Sequence, residues 1–117
     1  MVMSYDGVRG ADVITLRGVG VSIPLATGGT IPTNNGSGVP YGMVRCNPAA
    51  AVTAVILQPG LFNGQKVTVL NEAIAANTIT PDVAANSFIA DGAQAIAGLI
   101  SREFVWSAAA ARWFRNA

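Results

Sequence analysis

Residues 104–115 read FVWSAAAARWFR, with four large aromatic side chains flanking a run of alanines. A helix over these residues would spread the aromatic side chains over more than one face, and so short a helix is marginal without packing. A hairpin instead places Trp106 opposite Trp113, or one residue out of register, as an aromatic cross-strand pair. Because the alanines supply no Gly or Asn for a tight turn, the loop should have about four or five residues. We therefore predict a C-terminal β-hairpin that acts as a lid.

Short segments with alternating apolar residues precede this hairpin. Between residues 65 and 73, for example, Val67 and Val69 lie on one face of a strand and Lys66, Thr68 and Leu70 on the other. The same reasoning predicts strands over residues 13–25, 42–46, 50–58 and 77–80, the last of these stopped by Pro81. Residues 82–92 are turn-like. Residues 93–99 leave helix and strand both open, because Gly98 costs roughly 1 kcal/mol inside a helix.

Turn dipeptides separate these strands at intervals of about ten residues. Pro59-Gly60 ends one strand, and Asn63-Gly64 is the pair preferred in tight primed turns because both residues tolerate positive φ. Asp91-Gly92 gives a further turn signal. The pattern predicts an all-β fold, a small antiparallel β-sandwich or barrel.

A long segment rich in Gly, Pro, Asn and Ser covers residues 26–42. A connection of this length in a small domain usually serves a function or runs across another surface. We therefore divide the chain into residues 1–41, a strand followed by an extended N-terminal arm for attachment or inter-subunit contact, and residues 42–117, the β-rich module.

The chain carries little charge. Charged residues make up 11% of its 117 residues, against roughly 25% in an ordinary soluble domain. Such a surface is tolerable when other subunits cover it, which favours an oligomer over a monomer. A net charge of +1, with Lys66 and six scattered arginines, excludes a phosphate-binding footprint, so no nucleic-acid partner is expected. The single cysteine, Cys46, allows no internal disulfide and fits a reducing cytosol.

The chain does not resemble a secreted or membrane protein. Its first residues lack the basic and apolar regions of a signal peptide. Two charge-free runs, residues 18–44 and 46–65, are interrupted by prolines and glycines and fall short of the ~20 apolar residues needed to span a bilayer. We expect no contact with a membrane.

Residues with catalytic or metal-binding chemistry are scarce. The absence of histidine removes the commonest general base and most zinc sites. Cys46 has no histidine partner and is expected to be a small core residue. Asp82 and Asp91 are close enough in sequence to suggest calcium or an acid pair, yet both adjoin turn residues, where Asp bonds to nearby backbone. We expect no enzyme activity, no cofactor and no metal.

The C-terminal aromatic and basic residues are the remaining candidates for a site. Arg112 and Arg115 interleave with Trp113 and Phe114, a pattern open to ligand binding but more typical of packing or an interface. The candidate interface or packing residues are Phe104, Trp106, Arg112, Trp113 and Phe114. A receptor- or carbohydrate-binding tip, the alternative, would use Trp113, Arg112 and Tyr41.

The motifs from residue 51 to residue 115 resemble a β-rich module found in virion surface proteins of tailed bacteriophages, in particular head fibre and capsid decoration proteins and some tail-fibre segments. The matching features, in chain order, are an apolar strand ending in Pro-Gly, Gly-Gln opening the next strand, Asn-Glu after that strand, an Asn-Thr-Ile-Thr strand, an Ala-Asp-Gly turn and a final aromatic hairpin. They correspond to Pro59-Gly60, Gly64-Gln65, Asn71-Glu72, residues 77–80, residues 90–92 and residues 104–115.

This resemblance implies a structural protein. It implies a homotrimer that docks on the major capsid protein, lies on the virion surface after synthesis in the bacterial cytoplasm, and decorates the capsid or forms the base of a fibre. A tail-fibre or receptor-binding module is the alternative it leaves open.

Overall fold

The computed structural model describes residues 22–91 and 95–116. Within these residues nearly all regular structure is strand, so the all-β prediction is confirmed. The strands and the single helical turn are β1 (Ser22–Ile23), β2 (Thr30–Ile31), β3 (Met43–Cys46), β4 (Val52–Leu57), β5 (Lys66–Asn71), β6 (Ile79–Pro81), α1 (Ala84–Ser87), β7 (Ile100–Ser107) and β8 (Arg112–Arg115).

Successive strands alternate between two sheets. Strands β1, β3 and β5 enter a five-stranded sheet of order β1-β3-β5-β7-β8, whereas β2, β4 and β6 form a three-stranded sheet in that order. The pairs β1–β3, β3–β5, β2–β4 and β4–β6 are all parallel. The chain therefore winds three times through both sheets before β7 and β8 add the antiparallel pairs β5–β7 and β7–β8.

The four parallel strand pairs differ from the antiparallel sandwich or barrel that the sequence predicts. Two of the turn dipeptides lie between the sheets and do not join neighbouring strands. Pro59-Gly60 and Asn63-Gly64 both fall between β4 in one sheet and β5 in the other. Only Gly64, not Asn63, has a positive φ (87°), and the Gln65 amide donates to the Phe62 carbonyl at 3.1 Å. These features indicate a type II turn, not the primed hairpin turn that the sequence predicts.

The C-terminal hairpin is confirmed, and of the two registers that the sequence leaves open it has the one with the tryptophans directly opposite each other. Trp106 lies opposite Trp113 across β7 and β8, with ring centroids 5.2 Å apart at an interplanar angle of 61°. Residues 108–111 form the loop, which closes with Ala111 at φ 53°. Because both indoles face the interior, the hairpin closes one side of the core.

Residues 22–41 belong to the same core as the β-rich module. Strand β1 pairs with β3 and β2 pairs with β4, while Leu25 and Ile31 are buried in the shared hydrophobic core. The Gly- and Asn-rich residues form tight turns, in which Asn35 accepts the Ser37 amide at 2.8 Å on its side-chain oxygen. The described part of the predicted arm is thus folded, and residue 41 does not mark a boundary between folding units there. Residues 1–21 lie outside the described residues.

Two local predictions need correction between β6 and β7. Pro81 does not stop the strand before it but forms its last residue, at the end of a strand on the edge of the three-stranded sheet, where a missing N–H is tolerated. The turn-like residues 82–91 contain the single helical turn α1.

Candidate functional site

The five candidate interface or packing residues divide between core and surface. Phe104, Trp106 and Trp113 are only 1%, 7% and 0% exposed, so they are packing residues. Phe114 points to the opposite face of the hairpin, opposite Val105, and is 46% exposed. Arg112 is half-buried, with its guanidinium carbon 5.9 Å from the centroid of the Phe88 ring.

Trp113 joins three parts of the fold. Its indole Nε1 donates to the Gln58 carbonyl at 2.8 Å, just beyond the end of β4, and its backbone amide donates to Phe88 at 2.7 Å. Since its ring is fully buried, Trp113 cannot stack on a sugar. The proposed binding tip of Trp113, Arg112 and Tyr41 therefore loses its central aromatic residue.

Gly60 allows Trp106 to pack where it does. A Cβ atom at Gly60 would overlap Cγ of Trp106, so no residue with a side chain fits there without a shift. The Pro-Gly pair that reads as a turn signal in the sequence thus also serves close packing against the hairpin.

An open groove of about 490 Å³ lies beside the first residues of β3 and β5. Its most exposed aromatic side chain is Phe62, 52% exposed, and Tyr41, the other aromatic residue of the lining, is half-buried. The lining residues are Pro40, Tyr41, Gly42, Phe62, Gly64, Gln65 and Lys66. Sequence reasoning identified Tyr41 but missed Phe62, although an aromatic residue between two turn dipeptides is a signal of an exposed ring.

Two amide side chains, the buried Gln65 and the half-buried Gln58, bond to backbone near the groove. Gln65 is 2% exposed, donates through Nε2 to the Thr33 carbonyl at 3.0 Å, and accepts the Leu61 amide on Oε1 at 2.6 Å. Gln58 accepts the Thr33 amide at 2.8 Å and the Asn34 amide at 3.2 Å. The first two of these bonds fix Gln65, which lines the groove, to the segments at Leu61 and Thr33. Neither glutamine was singled out from the sequence.

One charged cluster links the three parallel strands of the larger sheet. Glu72, directly after β5, accepts a hydrogen bond from the Ser22 hydroxyl at 2.6 Å and from Arg45 Nε at 2.8 Å. The Ser22 hydrogen bond, then that of Arg45, holds the pKa of the Glu72 carboxyl below its usual value of 4.5. Each residue of the cluster thus has a structural partner.

We expect Glu72→Gln to lower the melting temperature at neutral pH and to lose this effect in acid. Since the folded-state pKa of Glu72 is lowered, its stabilisation is complete above pH 4.5 and disappears as the pH falls through the folded pKa. Melting temperatures of both proteins, measured from neutral to strongly acidic pH, should therefore converge. Ser22→Ala, which removes one donor to Glu72, should show a smaller difference with the same pH dependence. A difference that stays constant across the range would contradict this assignment.

The remaining polar candidates have structural positions. Cys46 is fully buried, and this burial, with the nearby charge of Glu72 as a smaller cause, raises the pKa of its thiol to about 12. Asp82 accepts the Val83 amide at 2.7 Å and the Asn86 side chain at 3.2 Å, the local bonding expected of a turn aspartate. Asp91 is exposed, and its neighbour Gly92 lies outside the described residues.

Two further features are missing from the part of the chain that the structure describes. No three or more Cys, Asp or Glu side chains gather there closely enough to hold a metal ion. In the same residues, the fold contains no helix with the length and apolarity to cross a bilayer.

Comparisons were made with models of protein families, with curated proteins and with solved structures, and none of the three yielded a match.

Proposed function

We propose that this chain is a structural virion protein of a tailed bacteriophage, which decorates the capsid or forms the base of a fibre on it as a homotrimer. The observation that carries the proposal is the set of large apolar side chains left on the described surface of a charge-poor chain. Large apolar side chains left exposed in this number suit a surface that other proteins cover. These side chains are Val39, Met43, Leu61, Phe62, Ile74, Val83, Leu99, Ile100 and Phe114.

The resemblance in motif order from residue 51 to residue 115 supports the same proposal. It supplies the major capsid protein as partner and the capsid surface as location. On this proposal the protein acts by binding other copies of itself and the capsid surface, and it performs no reaction and needs no cofactor.

The homotrimer is tested by the mass of the full chain in solution. A trimer has a mass of about 36 kDa, three times the 11.9 kDa of one chain. Light scattering coupled to gel filtration at micromolar concentration measures it. A mass of one chain at every concentration would contradict the homotrimer.

The virion location is tested on purified particles of the phage that encodes the chain. We expect mass spectrometry to detect the chain in particles purified on a density gradient, and particles lacking it to lose their genome at lower temperature. A chain found in the lysate but never in purified particles would refute the virion assignment.

A second candidate function, a receptor- or carbohydrate-binding module, is favoured by the groove beside Tyr41 and Phe62. Exposed aromatic rings with nearby polar groups suit the apolar faces and hydroxyls of sugars. Such a groove also suits a tail-fibre segment, the alternative that the resemblance leaves open.

This second candidate predicts that Phe62→Ala abolishes glycan binding. The full chain would be screened against bacterial surface glycans, and any binder would be titrated by calorimetry. Phe114→Ala removes a ring of similar exposure (46% against 52%) away from the groove lining and serves as the control. Equal affinity of Phe62→Ala and wild type for the same glycan would exclude the groove.

A further inference from the structure

Three exposed apolar side chains lie at one end of the five-stranded sheet, where β5 ends and β7 begins. Ile74 is 89% exposed, Leu99 65% and Ile100 39%. Ile100 pairs with Asn71, the last residue of β5, and Ile74 follows three residues later in the chain. We call Ile74, Leu99 and Ile100 the apolar end.

The segments that carry these side chains are in direct contact. A Cβ atom at Gly98 would lie 2.5 Å from the Ala73 carbonyl oxygen and 2.6 Å from that of Ala75, so the two backbones touch beside Ile74. The Leu99 amide donates to the Asn71 carbonyl at 2.8 Å. The apolar end is therefore carried by two segments whose backbones are in direct contact.

Asn71 holds this surface in one shape. Its fully buried side chain donates through Nδ2 to the carbonyls of Asn77 at 2.8 Å and Ile96 at 2.9 Å. Its Oδ1 accepts the Ala73 amide at 3.0 Å. Because one side chain bonds to both segments, their backbone is already ordered, and association would cost little further conformational entropy.

Leu99 also has an unusual backbone conformation. Its φ is 63°, in the left-handed region that non-glycine residues rarely adopt. A glycine at this position would remove the backbone strain, and an asparagine would tolerate the positive φ and present a polar side chain to the solvent. Strain at an exposed apolar residue points to a contact that the side chain makes.

The chemistry of the apolar end restricts its partner. Residues 73–81 and 95–101 contain no charged residue, and the nearby Glu72 carboxylate is bound by Ser22 and Arg45. A matching surface must be equally apolar and uncharged, and the same end of a second copy meets both conditions without like-charge repulsion. The groove beside Phe62, in contrast, carries Lys66.

We propose that the apolar end is the contact between copies of this chain. This inference rests on the proposed homotrimer and names its surface: Ile74 and Leu99 of each copy pack against the apolar end of the next around a closed rotation axis.

The test is a double variant of the full chain, Ile74→Ser with Leu99→Asn. Serine suits the exposed position 74, and asparagine tolerates the positive φ at position 99, so the fold should be retained. We expect the assembly to fall to the mass of one chain, 11.9 kDa, with association weakened by about a hundredfold. Mass is measured by sedimentation over a concentration series, and circular dichroism and melting temperature report the fold.

The control is Val83→Ser, which removes an apolar side chain of similar exposure (61%) beside α1. It should keep the wild-type mass. Ile74→Ser alone, at the most exposed of the three positions, tests the same surface if the double variant fails to fold.

Each other outcome overturns the inference in a distinguishable way. If the wild type is a trimer and the double variant has the same mass, the apolar end is not the contact, although the homotrimer itself is supported. A wild type that is a single chain at every concentration refutes both. A double variant that keeps its mass but no longer sediments with capsids assigns the apolar end to the capsid protein instead.

Discussion

Replacing Trp113 with alanine is expected to destabilise the protein by about 3–5 kcal/mol, the usual effect of truncating a buried tryptophan. The indole is fully buried, packs edge-on against Trp106 and donates to the Gln58 carbonyl. Its loss would leave a cavity between the hairpin and β4 and an acceptor without its partner. Urea unfolding followed by circular dichroism measures the free energy of unfolding.

Two further variants separate the contributions at this position. Trp113→Phe keeps part of the ring but loses the Nε1 donor, so its effect should lie between those of wild type and alanine. Phe114→Ala, the neighbouring residue on the exposed face, should change stability by about 0.5 kcal/mol or less. Equal effects at positions 113 and 114 would show that the hairpin does not face the core as described.

Gly98→Ala is expected to destabilise the protein by about 3 kcal/mol, at the upper end of the effect of overpacking. The added Cβ would approach two backbone carbonyl oxygens, those of Ala73 and Ala75, to 2.5 and 2.6 Å. Backbone oxygens have no rotamer to adopt, so the loops that carry Ile74 and Leu99 would have to separate. The same unfolding measurement applies.

Gly42→Ala is the matched control. Nothing lies within 4 Å of a Cβ atom at Gly42, so the substitution should be neutral or stabilise the protein by about 0.4–1 kcal/mol through the unfolded state. A Gly98→Ala protein as stable as Gly42→Ala would refute the close contact between the two segments.

The C-terminal hairpin shows how far the sequence alone leads. Aromatic residues on both sides of an alanine run predict the hairpin and limit its register to Trp106 opposite Trp113 or one residue away, and the structure has the first of these. The alternation of Val67 and Val69 with Lys66 and Thr68 likewise determined which face of β5 is buried. Both are local properties, in which neighbouring residues contain the information.

The candidate site was less accessible to sequence reasoning. The sequence around Trp113 favours packing or an interface but leaves a ligand platform open, and the Gln58 carbonyl beside its Nε1 shows that the ring belongs to the core. The groove at Phe62 and the apolar end join residues that are distant in sequence. Their positions depend on which strands pair, and short patterns do not encode that choice.

The pairing of strands is where sequence and structure diverge most. Alternating apolar residues specify that a segment is a strand and which of its faces is buried, because both depend on a period of two residues. They do not specify whether the next strand returns beside it or crosses to another sheet. Here Gln58, Gln65 and Asn71 bond to backbone many residues away and stabilise the crossings, so the parallel winding arises from contacts that exist only once the chain has folded.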